Sequence, residues 1–457
     1  MIELRSNQKL PIRKAKEFFQ QKKSVPSLMV LPTAWGKSIL IGWVAHELKE
    51  KILVIQPSKE LLEQNFNKYF DLCGTLNNVG IYSASFDTRI LSDVTFVTIG
   101  SVKKMGDELR NLGYKNVLID EAHMYPREDT GMLMKFIKDL KPRHVLGVTA
   151  TPFKLQTNTD MNGMEFSKLV CLTNRGKTST FFKKIIHVSQ IQEMVKLNYW
   201  SPLRYEYENI NETFLEYNST KADFTDSSIE LTIKENNIKE RIERAVNLCE
   251  KEYKRSHILV FVPSIELAIQ MQKKMGGGVV YSGMKDSERR ETITAFCEGK
   301  LNKLFNVRIL SVGFDYPGID AIILGYATAS LTNYYQIIGR GTRIHPLKKD
   351  CIIYDLGGNY LRFGRVEDLR MTDATGQWEM VNRKKLVTSV PIHMINFPYT
   401  MPFGTYKGMD LDKAPDNYLN WVLDNIKELS PVLKKQIKFI LWERENPLEL
   451  GFGSKSK

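Results

Sequence analysis

The sequence predicts an α/β protein: two tandem parallel-sheet lobes, then a small, mostly helical C-terminal domain. Three observations predict it. Runs that are apolar throughout alternate with amphipathic stretches over residues 1–150, the same alternation returns between residues 257 and 354, and after about residue 365 it stops. Strands that are apolar throughout and separated by helices belong to parallel sheets covered on both faces. In the first series the strands fall at residues 28–31, 52–55, 94–99, 117–119 and 145–148, with helices at 39–48 and 59–70. In the second they fall at 257–262, 279–281, 304–310, 321–324 and 351–354, with helices at 265–275 and 287–296. A polar stretch over 199–230 marks the connection, giving lobes 1–200 and 201–365. The tail, 366–457, carries aromatic, Pro and Gly turns and then helical patterns at 418–429 and 431–442.

Length and composition fit this scheme. At roughly 100–200 residues per domain, 457 residues allow two to four domains. With 42% hydrophobic and 26% charged residues the chain is neither disordered nor collagen-like. Lys+Arg 65 against Asp+Glu 52 gives a net charge of +13, which favours a polyanionic partner, nucleic acid before acidic membrane. The five cysteines are scattered singly, without metal-ligand or disulfide spacing, which suits a reducing cytosol. No apolar run is long enough to span a bilayer, and the first 23 residues lack the apolar centre of a signal peptide, so a cytoplasmic protein is expected.

Several segments carry chemistry. Pro32 to Ser38 lies between a strand and a helix, where backbone N–H groups and the helix dipole cradle phosphate oxygens. There Gly36 allows close approach, Lys37 meets the β/γ-phosphates and Ser38 offers a hydroxyl to Mg²⁺. Leu31 stands where the strict P-loop pattern has its first glycine, so the segment alone also reads as a basic turn. The strand 117–119 runs into Asp120-Glu121-Ala122-His123, placing two carboxylates at a strand end, where open α/β sheets bind ligands. Asp120 suits Mg²⁺ and Glu121 suits activation of water, although a solvated helix start would look the same. Thr149-Ala150-Thr151 ends another strand. In the second lobe, Ser311, Gly313 and Asp315 precede Gln336, Arg340 and Arg343, whose two arginines three apart can face one phosphate. Five modest signals in one order, each at a strand end or helix start, make coincidence a poor account.

Taken together these segments resemble the superfamily 2 helicases and translocases over roughly residues 1–365. The resemblance implies RecA-like lobes, ATP and Mg²⁺ as cofactors, and a role for each matching position. Leu4-Arg5-Ser6-Asn7-Gln8 is similar to the adenine-recognition segment, with Gln8 as base reader and Arg5 beside it. Thr33, Gly36, Lys37, Ser38, Gly313 and Asp315 are implied in nucleotide binding, and Ser38 and Asp120 in holding Mg²⁺. Catalysis falls to Asp120, Glu121, Gln336, Arg340 and Arg343, and coupling to His123, Thr149 and Thr151. Gln56, Pro57, Ser58, Gly100, Ser101 and Ser311 are implied in contacts with the nucleic-acid backbone.

Asn198 to Leu203, 313–317 and Gln336 to Ile344 look most like DNA-acting members, RadD-like repair proteins and UvsW-like phage branched-DNA helicases among them. That implies a DNA partner in branched form, such as forks, Holliday-type junctions or displacement loops, acted on in the host cytoplasm if the source is a phage. The alternatives are an RNA or RNA–DNA helicase, the translocating motor subunit of a restriction or repair assembly, and a catalytically idle clamp. A monomer is expected. Met401 to Gly408, with Pro415, Tyr418 and Trp421, resembles a PFGKYKG-type module appended to some DNA exonucleases. In it Tyr406 and Lys407 offer a ring beside a cation for DNA, while Tyr418 and Trp421 are expected in the module's core.

Overall fold

The apolar runs of the first 150 residues become the inner strands of an eight-stranded sheet. The computed structural model describes residues 3–74, 78–127, 130–160, 163–173, 180–307, 314–373, 376–382, 385–394, 400–426 and 428–445. The first sheet runs, edge to edge, Lys184–Val188, Ser27–Val30, His144–Thr149, Asn116–Ile119, Ile52–Gln56, Val94–Thr98, Val79–Ser83 and Thr88–Arg89. Every pairing is parallel except the last. Helices cover both faces, so Leu28, Leu53, Leu118 and Leu146 have no exposed surface. Each such side chain contributes about 1.5–3 kcal/mol by leaving water. The order has a chemical consequence. Ser27–Val30, His144–Thr149 and Asn116–Ile119 are neighbours, and so the phosphate-loop segment, Thr149 and Asp120 leave the sheet side by side.

The second sheet holds six parallel strands in the order Leu203–Tyr207, Cys351–Asp355, Ala321–Leu324, Ile258–Phe261, Lys303–Val307 and Gly278–Tyr281. Its inner strands are buried as the sequence expects, but Leu203–Tyr207 is not linker. This polar run is the edge strand of the second lobe, paired in register with Cys351–Asp355, and edge exposure explains its alternating composition. The chain therefore crosses between lobes within residues 197–202. Another departure follows Thr151, where Phe153–Thr159 and Glu165–Cys171 form a two-stranded antiparallel hairpin. Among the described residues no helix is long and apolar enough to cross a membrane.

The tail divides in two. Leu369–Thr372, Glu379–Asn382 and Lys385–Leu386 form a three-stranded antiparallel sheet whose Leu369, Met371, Met380 and Val381 join the main hydrophobic core. Only then come the helices Asp416–Asn425 and Pro431–Glu445. They close a small separate core of Met401, Leu411, Leu419, Val422, Ile437 and Ile440. Trp421 is outside that core, 51% exposed and stacked on the half-buried Tyr418, because it lies on the helix face opposite Leu419 and Val422.

Candidate active site

The phosphate-loop segment is shaped by two left-handed residues. Gly36 has φ +94°, and Ala34, standing where glycine is usual, takes φ +57°. Helix Lys37–Glu47 starts directly after Gly36, aiming its first N–H groups into the cleft between lobes. Trp35, which could have lain on the surface, is fully buried and anchors the loop. Beside the loop lies a cavity of about 420 Å³. Ala34, Gly36, Lys37, Ser38, Asp120 and Glu121 line it from the first lobe, and Asp315, Gln336, Arg340 and Arg343 from the second. Helix Leu331–Ile338, capped by Ser330 at the N–H of Asn333, carries Gln336, and the turn after it carries both arginines.

Charges in the cavity are arranged in pairs. Lys37 Nζ is bonded to Glu121 Oε1. The other Glu121 oxygen lies 3.3 Å from His123 Nδ1, which is 2.9 Å from Thr149 Oγ1; that hydroxyl also accepts the Thr151 N–H at 3.1 Å. The three residues expected to couple the site to movement are thus linked to Glu121 through one relay. Burial alone would raise the Glu121 carboxyl, but Lys37 and His123 hold it well below the usual carboxylate range. For Asp120 burial wins over Lys37, and with Glu121 alongside its carboxyl is pushed up to about 6. Asn65 donates to Asp120 at 2.8 Å. Burial and the charge of Arg343 press Arg340 down to about 9, so it stays cationic at neutral pH. Its Nη1 donates to Phe314 O at 2.6 Å, and Arg343 Nε lies 2.5 Å from Asp315.

Several of the expected site residues have further partners in this fold. Gln8 is fully buried behind the loop, donating to Trp35 O at 2.9 Å and accepting the Arg5 N–H at 3.0 Å. These bonds brace the phosphate loop; Arg5 lines the cavity, stacked 4.9 Å from the Tyr199 ring. Thr33 is taken up by lobe contacts, its N–H donating to Tyr335 Oη at 3.1 Å and its carbonyl accepting from Trp200 Nε1 at 2.9 Å. Gln56 has no exposed surface and accepts from Asn65 at 3.0 Å. Pro57 and Ser58 follow the strand that pairs with Val94–Thr98, after which come Gly100 and Ser101. Ser58 caps helix Lys59–Cys73, and Ser101 Oγ accepts the Ala84 N–H. Lys407 is exposed and Tyr406 packs edge-on against Tyr418, 4.7 Å between centroids, in the separate C-terminal core. Ser311 and Gly313 lie outside the described residues.

The family model for the type III restriction enzyme res subunit matches residues 1–154, and that for the helicase conserved C-terminal domain matches residues 240–345. The two lobes are thus similar to those of helicases, the first match covering the segment with Lys37 and Glu121 and the second the segment with Arg340 and Arg343. The chain is 23% identical over 346 residues to the candidate ATP-dependent helicase IRC3 of Saccharomyces cerevisiae, covering 72% of this chain and 48% of that protein. It is 24% identical over 340 residues to the transcript termination protein A18 of rabbit fibroma virus (strain Kasza), covering 71% and 66%. The chain thus spans about half the length of the yeast helicase. Its fold is similar to that of the ATP-dependent Type ISP restriction-modification enzyme LlaBIII bound to DNA, with a TM-score of 0.56 and 16% identity over 78% of this chain and 28% of that one.

Tyr335, Trp200 and Tyr199 at the cleft were assigned no individual role by the sequence. Tyr335 and Trp200 clasp Thr33 from opposite directions, and Gly339 packs so closely that a Cβ there would sit 2.8 Å from Thr33 Cγ2. Tyr199 completes the wall beside Arg5. Their signal was position: Tyr335 immediately precedes Gln336, and Tyr199-Trp200 sits where the chain changes lobe.

Proposed function

We propose that the protein is an ATP-driven DNA motor that remodels branched DNA: forks, Holliday-type junctions and displacement loops. The observation that carries the motor is the composite cavity, to which one lobe brings Lys37 and Glu121 and the other brings Arg340 and Arg343. Lys37 meets the β/γ-phosphates and exchanges its partner Glu121 for them. Glu121, held ionised, orients and deprotonates the attacking water, while the arginines balance charge that develops on the transferred phosphoryl group. Ser38 and the buried Asp120 carboxylate fit Mg²⁺, since a hard cation takes oxygen donors, and it would neutralise the phosphates between them. Gln336 lines the same cavity, and Asp315 steadies Arg343.

DNA as partner is supported by the net charge of +13 and by the DNA-bound restriction enzyme of similar fold. Pro57, Ser58, Gly100 and Ser101, on adjoining strand ends, are the backbone contacts, and Tyr406 with Lys407 is a separate contact in the tail. The branched preference rests on the resemblance to RadD-like and UvsW-like proteins. A second reading, the translocating subunit of a restriction assembly, is favoured by the res-subunit match over residues 1–154. The transcript termination relative points instead toward RNA.

The test is the ATPase rate with no nucleic acid, single-stranded DNA, linear duplex, a synthetic four-way junction or RNA, with Glu121→Gln as background. Strongest stimulation by the junction, with strand products, is expected. Stimulation by RNA alone would replace DNA with RNA. Stimulation only by linear duplex, without strand products, would favour the restriction motor.

A further inference from the structure

Lys348 stands five residues beyond Arg343, in the turn that leads into strand Cys351–Asp355. Its Nζ donates to Gly341 O at 2.7 Å and to Arg343 O at 2.7 Å, and reaches Pro317 O at 3.5 Å. Among the described residues it makes no ion pair, so its charge is spent on backbone carbonyls. An ammonium group suits this place because it carries three donors and no acceptor, and charge-assisted bonds are the stronger kind.

The carbonyls it gathers are not arbitrary. Gly341 and Arg343 belong to the turn that presents the two arginines, and Pro317 follows Asp315, the partner of the Arg343 guanidinium at 2.5 Å. Lys348 therefore grips the Arg343 backbone while Asp315 grips its side chain. The turn is pressed down as well, since a Cβ on Gly341 would lie 2.5 Å from Cys351 Sγ.

We infer that Lys348 is a positioning residue for ATP hydrolysis, holding the Arg340–Arg343 turn so that the Arg343 guanidinium meets the transferred phosphate. The inference rests on the ATPase reading above. Lys348 touches no reacting atom and acts through Arg343, so its loss misplaces the arginine without removing the nucleotide's other contacts.

The test compares Lys348→Met, Lys348→Arg, Arg343→Ala and the double variant Lys348→Met/Arg343→Ala in the full chain. DNA-stimulated kcat is measured per nucleotide-binding site, with a fluorescent ADP analogue giving both the affinity and the folded fraction. The expected result is a fall in kcat of about tenfold or more for Lys348→Met with analogue affinity within about twofold. Lys348→Arg, which keeps donors, should recover part of the loss, and the double variant should be no slower than Arg343→Ala. Where Lys348→Met fails to fold, Lys348→Gln takes its place. A kcat within about twofold of wild type, or losses that multiply in the double variant, would overturn the positioning role. Arg343→Ala with wild-type kcat would instead sink the composite two-lobe site beneath it, and a wild-type chain that binds the analogue but hydrolyses no ATP would sink the ATPase reading itself.

Discussion

Gly36 shows how much of the site hangs on single positions. Its φ of +94° belongs to glycine, and an added Cβ would lie 2.8 Å from Gln8 Nε2 and 3.3 Å from Ile39 Cδ1. Gln8 cannot swing away cheaply, because its amide is bonded at both ends, to Trp35 O and to the Arg5 N–H. Gly36→Ala is therefore expected to cost about 1–2 kcal/mol of stability and to weaken nucleotide binding by about tenfold or more. Thermal unfolding and titration with a fluorescent nucleotide measure both; unchanged affinity would show that Gln8 does not brace the loop. Glu121 also occupies a left-handed conformation, φ +43°, at the strand end, which turns its carboxylate back toward Lys37 and His123.

At the scale of elements, the edge strand Lys184–Val188 places His187 half-buried beside Ser27–Val30. Burial, helped by Lys14, pushes the imidazole down to about 4, well below its usual value. The unfolded chain then takes the proton first as pH falls, so stability is full above about 6.5, declines toward about 4 and is flat below. His187→Asn should remove an acid-side loss on the order of 1–2 kcal/mol, discounted for partial exposure. Urea unfolding of both proteins at pH 8 and pH 4.5 checks this; equal losses would contradict it. The same strand illustrates what the sequence could reveal. Inner strands such as Ile52–Gln56 are apolar on both faces and legible, whereas Lys184–Val188 and Leu203–Tyr207 lie at sheet edges, where exposure mixes polar residues into the pattern. Leu369–Thr372 and its partners are short antiparallel strands packed on a core built by distant residues, so no local period betrays them. At the site, residue types with obligatory chemistry were legible, Lys37, Asp120, Glu121, Arg340 and Arg343 among them. The partners of Gln8, Thr33 and Gln56, namely Trp35, Tyr335 and Asn65, were not legible, because only the tertiary fold fixes them.

On the scale of the whole molecule, the lobes meet on two sides of the cavity. One side is largely buried, with Tyr335 and Trp200 hydrogen-bonded to Thr33. The other is polar: helix Lys59–Cys73 faces helix Asp286–Cys297 through Glu60 with Arg289 and Glu63 with Arg290, each 4.0 Å apart, while Gln64 donates to Asp315 at 2.7 Å. Exposed pairs of this kind contribute about 0–1 kcal/mol each and weaken with salt, so this side yields first when the lobes separate. Reversing Glu60 and Glu63 to Arg should raise KM for ATP about two- to fivefold at low salt, and adding Arg289→Glu with Arg290→Glu should restore it. Failure of the second pair to rescue would show that these contacts do not close the cavity. The central claim is that both lobes build one hydrolytic site. Its most direct test is single-turnover ATP hydrolysis by Arg343→Ala at saturating nucleotide with DNA present. Near-normal binding is expected, with hydrolysis slowed by about 10³-fold or more, the scale of an arginine supplied in trans to a phosphoryl transfer. Near-normal hydrolysis by that variant would contradict it.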